Sequence, residues 1–218
     1  MTDTDRLFND MKIWGNIKLN ILMSAYKKDR YLICPEDNHF RIFDDLLGIT
    51  PVAIILGQDP YPQRETATGI AFANFKREGE YRSIPLSPSL EVIKNSVMKV
   101  SKGHFDETLM SWVKQGIIPI NSSWTVLQNK PGSMTNFWIP YTAGFLRKLS
   151  ALCPDLCYIL LGNTANAFRG NILNGNILTE YHPSFFARME KEMPPRVWIK
   201  MIEWVDEKFN RKIHLTDE

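Results

Sequence analysis

The chain has little excess charge of either sign. Its 26 Lys and Arg face 24 Asp and Glu, a formal net charge of +2. No global basic field advertises a nucleic-acid partner, so any such binding must use a local patch. Cysteine is scarce, with Cys34, Cys153 and Cys157 only. An odd, small number builds no disulfide framework and suits a reducing compartment. No His or Cys stands at zinc spacing from Cys153 and Cys157, and three thiols cannot hold a four-cysteine iron–sulfur cluster. The three read as small core residues. No apolar run approaches the ~18 residues that cross a membrane, and the acidic start MTDTDRLFND lacks the apolar segment of a signal peptide. The expectation is a cytoplasmic protein (nucleoid-associated if bacterial). G-x-G-x-x-G, a Walker loop and a G-x-S-x-G elbow are also missing. Their absence argues against nucleotide-cofactor enzymes, NTPases and α/β-hydrolases.

What is present begins with size. At 218 residues, 44% of them hydrophobic, the chain reads as one domain (1–218) with a full core and no repeat or linker. Its centre is PVAIILGQDPYP at 51–62. The apolar run 52–56 has the composition of a strand buried on both faces, as in parallel sheets. At Gly57 the chain turns polar, and Asp59 precedes two prolines, Pro60 and Pro62, whose φ angles are fixed. A carboxylate at the end of a buried strand suits chemistry in an open α/β sheet; a turn aspartate capping backbone N–H groups is the plainer alternative.

Three more apolar runs, 117–120, 156–161 and 176–180, end at Asn121, at Gly162-Asn163 and at Tyr181-His182. Helical periodicity covers 5–26, with Leu7, Met11, Trp14, Ile17 and Ile21 on one face, and a short stretch around Phe40 to Leu47. It recurs at 89–102, 109–115, 137–152, 164–168 and 195–209, while GIAFANF at 69–75 reads as a short extended piece. Strand–helix alternation predicts an α/β three-layer sandwich, with a central, mostly parallel four-stranded sheet flanked by helices. Asp59, Asn121, Asn163 and His182 would then meet at the carboxyl ends of four strands.

Such a site offers a carboxylate, a carboxamide, an imidazole and aromatics, with no metal set. A carboxamide carries both donor and acceptor, which suits a nucleobase edge, and Phe72 could give a stacking face. A hydrolase acting on a flipped base uses this inventory. Taken singly, each residue has a plainer reading: Asn121 in a turn, His182 in a loop, Phe72 in the core.

Together the motifs resemble the family 1 uracil-DNA glycosylases. The resemblance rests on GQDPYP at 57–62, GIAF at 69–72, PSL at 88–90, IIPIN at 117–121, LLGN at 160–163 and YHPS at 181–184. Order and spacing also match, from about residue 40 to about residue 205. The resemblance implies a monofunctional DNA repair glycosylase that flips uracil and leaves an abasic site, with no cofactor and no metal. Asp59 would orient the attacking water and stabilise the cationic sugar, and His182 would donate to uracil O2. Asn121 would read N3–H and O4, Phe72 would be the floor, and Tyr61 the wall that excludes thymine's methyl group. Gln58 would offer its backbone N–H. Ser89, Asn163 and Ser184 would grip phosphates, Phe186 would wedge into the base stack and Arg188 would meet a phosphate. The plainer alternative makes Phe185 and Phe186 packing residues of the following helix. The implied partners are single- and double-stranded DNA containing uracil and a DNA-mimicking inhibitor protein, the enzyme being a monomer without membrane contact.

The sequence departs from the family pattern at Pro62, where the motif usually carries histidine, at Asn163, where serine is usual, at Pro119, and in HPSFFAR. Those departures leave two alternatives open: a DNA-binding accessory or scaffold protein on the same fold, and a glycosylase of altered base preference.

Overall fold

The computed structural model describes residues 1–26, 32–63, 65–74 and 85–217. Its centre is a four-stranded sheet built from β2 (Ala53–Gly57), β3 (Ile117–Asn121), β5 (Cys157–Leu161) and β6 (Asn176–Glu180), in the order β3-β2-β5-β6. Every pairing is parallel. β2 lies inside the sheet, and every residue of it is buried. That explains its unbroken apolar composition, since helices cover both faces of a parallel sheet. A second, two-stranded antiparallel sheet joins β1 (Ile33–Cys34) to β4 (Val126–Leu127). Strands of two residues leave no periodicity to detect, and the sequence does not announce them.

Register aligns the strand ends. Gly57 pairs with Asn121, and Leu161 with Glu180, so the segments that follow all leave from one edge. Pro119 is accommodated because β3 is an edge strand. Its carbonyl accepts from the Ala71 N–H at 3.2 Å, outside the sheet. N–H and C=O of one strand residue point the same way, so the hydrogen that proline lacks would also have faced away from β2.

The helices are α1 (Asp3–Tyr26), α2 (Arg41–Asp45), α3 (Pro88–Val97), α4 (Met110–Lys114), α5 (Thr135–Leu152), α6 (Gly162–Asn166), α7 (Pro183–Arg188) and α8 (Arg196–Phe209), with a 3₁₀ turn at Ala167–Asn171. Two differ from expectation. α1 buries Leu7, Phe8, Met11, Gly15 and Leu22, whereas Trp14, Ile17 and Ile21 face outward. Apolar residues lie on both sides of this helix, so periodicity alone could not choose the packed side. α3 stops at Val97 rather than continuing to 102, where the Val100 N–H already bonds the Val97 carbonyl at 2.9 Å in a tightened turn. Its start follows the rules, with Ser87 capping the Leu90 N–H and Pro88 at the first helical position.

Candidate active site

A cavity of about 300 Å³ opens at the carboxyl edge of the sheet. Gln58, Asp59, Tyr61, Phe72, Asn121 and His182 all line it, as do Ser89, Ser184 and Arg188. The chain segments following β2, β3 and β6 therefore meet as the strand alternation predicts.

Gly57 makes the meeting possible. A Cβ there would lie 2.6 Å from Asn121 Oδ1 and 2.7 Å from Phe72 Cζ, so one or both side chains would have to move. The glycine of GQDPYP is thus the space in which carboxamide and ring approach the end of β2. Phe72 stands in the left-handed region at φ 67°. GIAF is a turn rather than an extended piece, and Phe75 of that stretch lies outside the described residues. The Phe72 ring is 6% exposed, belonging at once to the core and to the cavity floor.

Asp59 accepts the Gly132 N–H on Oδ2 at 2.9 Å, which anchors the carboxylate to the loop before α5. Its Oδ1 is buried without a hydrogen-bond partner. Burial raises its pKa above the ordinary carboxylate value, opposed by the Gly132 N–H and the Gln58 side chain. Tyr61 is pinned at both sides of its hydroxyl: it donates to the Phe72 carbonyl at 2.8 Å, and Ser87 donates to it. The tyrosine ring is therefore a rigid wall, and burial pushes its pKa up.

His182 caps α7, its Nδ1 accepting from the Ser184 N–H at 3.2 Å and lying 2.8 Å from the Ser184 hydroxyl. With Nδ1 an acceptor, the ring hydrogen sits on Nε2. Burial, helped by the charge of Arg188, pushes its pKa down to about 4, so the imidazole is neutral. Arg188 Nη1 also donates to the Ser184 hydroxyl at 3.3 Å. Ser89 lies in the first turn of α3, whose amino end borders the cavity.

Two expected site residues are placed elsewhere. Asn163 lies outside the cavity, in a neighbouring depression of about 190 Å³ with Thr179, Tyr181 and Arg196. Phe186, expected at the surface as a wedge, is 6% exposed and part of the core. α7 is the reason: consecutive residues on a helix diverge, so Phe186 turns inward while half-buried Phe185 stacks on exposed Tyr181 at 4.7 Å. A ring packed in the core cannot enter a base stack without leaving its own contacts, so the wedge assignment of Phe186 is withdrawn. His39, which sequence reasoning missed, also lines the cavity. Its only sequence signal is negative, the loss of the motif's histidine at Pro62. Among the described residues no three His, Cys, Asp or Glu side chains are grouped as a metal ion would need.

Known proteins resemble this chain in sequence and in fold. The sequence matches the family described as the uracil DNA glycosylase superfamily over residues 46–206. It is 30% identical over 172 residues to uracil-DNA glycosylase 1 of Bacteroides fragilis, covering 76% of this chain and 74% of that one. It is 27% identical over 194 residues to the uracil-DNA glycosylase of Mesomycoplasma hyopneumoniae, covering 85% and 84%. In fold it resembles the crystal structure of mimivirus uracil-DNA glycosylase, with a TM-score of 0.80 at 22% identity over 97% of this chain and 87% of that one. A variant of mimivirus UNG in complex with UGI superposes with the same TM-score and identity, covering 97% and 88%. With the family matched across well over half of its length, the chain belongs to the uracil DNA glycosylase superfamily.

Proposed function

We propose that the protein hydrolyses the N-glycosidic bond of uracil in DNA, drawing the base out of the strand and leaving an abasic site. One observation carries this reading. A carboxylate with a free buried oxygen, a neutral histidine with a free N–H and a carboxamide line one cavity floored by an aromatic ring.

Uracil stacks on Phe72, and Asn121 accepts from N3–H and donates to O4. Cytosine reverses that order and would leave buried polar groups unpaired, at about 1–3 kcal/mol each. Tyr61, held by Phe72 and Ser87, blocks the space a thymine methyl would need. As the C1′–N1 bond breaks, its electron pair leaves with uracil and charge gathers at O2, where the His182 Nε2–H donates. A neutral donor does this without a permanent charge to desolvate. The Gln58 backbone N–H supports the same oxygen. Ionised Asp59 stabilises the cationic sugar and orients the water. The water oxygen bonds C1′, and its proton passes to the carboxylate and then to the departing base.

Ser89, Ser184 and Arg188 hold phosphates beside the cavity, and Asn163 with Arg196 suits the next one along. An inhibitor protein that mimics DNA would dock on this rim. The enzyme acts as a monomer, in the compartment that holds the DNA. No helix among the described residues is long and apolar enough to cross a membrane.

The test is base release from single- and double-stranded oligonucleotides carrying one uracil, with EDTA present and borohydride in a parallel reaction. Free uracil, matched by abasic sites and without trapped adduct, is expected. A borohydride-trapped enzyme–DNA adduct, which signals an amine nucleophile, or release abolished by EDTA would contradict the reading.

A further inference from the structure

Beside the strand-end cavity stands an exposed aromatic, Tyr181. Scattered exposed apolar side chains are ordinary; this one is set apart by how it is held and by what adjoins it. It is 61% exposed, yet its ring stacks on Phe185 with centroids 4.7 Å apart and meets the Phe186 ring edge-on at 6.3 Å. Its N–H donates to Glu180 Oε1 at 2.9 Å. A ring already ordered by its own fold loses little freedom when a second flat surface covers it.

Tyr181 borders a depression of about 190 Å³ together with Gly162, Asn163 and Arg196. That depression adjoins the cavity: a Cβ on Gly162, in its wall, would lie 2.8 Å from the Cβ of His182, which lines the cavity. Glu180 organises the rest. Its side chain is 2% exposed, and its Oε2 accepts from Nε of the largely exposed Arg196 at 2.8 Å. Both carboxylate oxygens are thereby occupied and the charge is matched. The terminal N–H groups of Arg196 make no hydrogen bond within the described residues, which leaves them for an anion.

A ring with an uncovered face, a guanidinium and the Asn163 carboxamide, all beside the uracil cavity, match one chemistry. A nucleotide has a base that stacks and a phosphate that pairs. We propose that this depression receives a nucleotide flanking the flipped uracil, its base stacked on Tyr181 and its phosphate held by Arg196. The inference rests on the proposed uracil excision and extends it along the strand. Every base has a π-face, so the subsite adds affinity without reading sequence. Glu180 is its positioning residue, since one carboxylate fixes both the Tyr181 backbone and the guanidinium.

The experiment measures kcat and KM for uracil release, DNA affinity and melting temperature for the unaltered protein, Tyr181→Ala and Tyr181→Phe. Each is given single strands with ordinary bases beside uracil, and strands whose neighbouring nucleosides are abasic spacers. Tyr181→Ala should raise KM about five- to tenfold on ordinary strands, the scale of one base–ring stack, with kcat held. Tyr181→Phe should match the unaltered protein. On spacer strands all three should share the raised KM, because the ring then has no base to meet. Arg196→Gln, whose amide can still donate to Glu180, should lower the salt dependence of DNA affinity by about one phosphate contact. Unchanged KM in Tyr181→Ala overturns the proposal, as does a loss that persists equally on spacer strands, which marks a packing role. An unchanged salt dependence in Arg196→Gln overturns the phosphate contact. If the unaltered protein releases no uracil, the parent reading fails instead, and DNA affinity on the two kinds of strand still tests the stack.

Discussion

The molecule has two hollows of comparable size and opposite character. The strand-end cavity, of about 300 Å³, gathers His39, Asp59, Asn121 and His182 around an aromatic floor. The groove between α1 and α5, of about 400 Å³, is lined by Met11, Trp14, Ile17, Ile21 and Tyr141, with Lys18 and Lys148 the charged residues among the described ones. In the cavity, burial displaces the pKa of His39, Asp59 and His182. In the groove, Lys18 Nζ rests 3.9 Å from the centre of the Phe137 ring, and Lys148 stands in water. Neither volume nor apolar surface separates the two. What does is a set of titratable groups, His39, Asp59 and His182, that burial shifts from their ordinary pKa and the strand ends bring together.

Substitutions can break or sharpen this contrast. The largest effect belongs to Asp59→Asn, which keeps the shape but cannot take the water's proton or balance a cationic sugar. Single-turnover uracil release should fall by about 10²–10³-fold while DNA affinity holds. A rate within a few-fold of the unaltered protein would remove Asp59 from its role.

Gly57→Ala should follow, at about 10²-fold, because its methyl group displaces Asn121 and Phe72 without touching the DNA. Normal excision by a folded Gly57→Ala protein would show that those two side chains need not meet there.

Acidification tests the burial itself. His182 has a folded pKa of about 4 against an ordinary 6.5, so it stays neutral well below neutrality. The stability tied to neutral burial is whole above about pH 6.5 and is lost as pH falls from there toward 4. Asp59, with its pKa raised, protonates above the ordinary carboxylate value as pH falls. The rate should therefore show no inflection near pH 6.5 and should decline only on the acid side, as Asp59 gains its proton. A step near pH 6.5 in the single-turnover profile would mean an exposed, titrating histidine.

The smallest effects on chemistry come from aromatics outside the cavity's polar cluster. Phe186→Ala should lower stability by about 3–5 kcal/mol, read by denaturant unfolding, and change release from single- and double-stranded DNA alike. A loss confined to duplex DNA would restore the wedge. Trp14→Ser, at a residue 61% exposed in the groove, should leave both stability and excision nearly unchanged.

Much of the architecture was legible in the sequence. The four sheet strands lie on the four runs; β2, β3 and β5 are almost wholly buried and therefore apolar almost throughout, while β6, NILTE, is only partly buried and keeps polar residues. The residues after three of those runs line the cavity, since strand register sets their place. Side-chain direction on helices was not legible. On α1 the expected face holds for Leu7 and Met11, which are buried, and fails for Trp14, Ile17 and Ile21, which keep helical spacing but face outward. Phe186 aligned with a wedge, but α7 was not foreseen, and its turn decides which phenylalanine faces inward. His39 stands in the polar loop just before the Phe40–Leu47 stretch, whose apolar pattern says nothing of a histidine outside it; only tertiary packing brings it to Asp59's cavity.

The most direct measurement is a crystal structure of the protein grown with uracil. The account predicts the base in the strand-end cavity, its ring on Phe72, N3–H and O4 against the Asn121 carboxamide, and O2 toward His182 Nε2. Uracil bound in the groove between α1 and α5, or in the cavity with its edge turned away from Asn121, would contradict it.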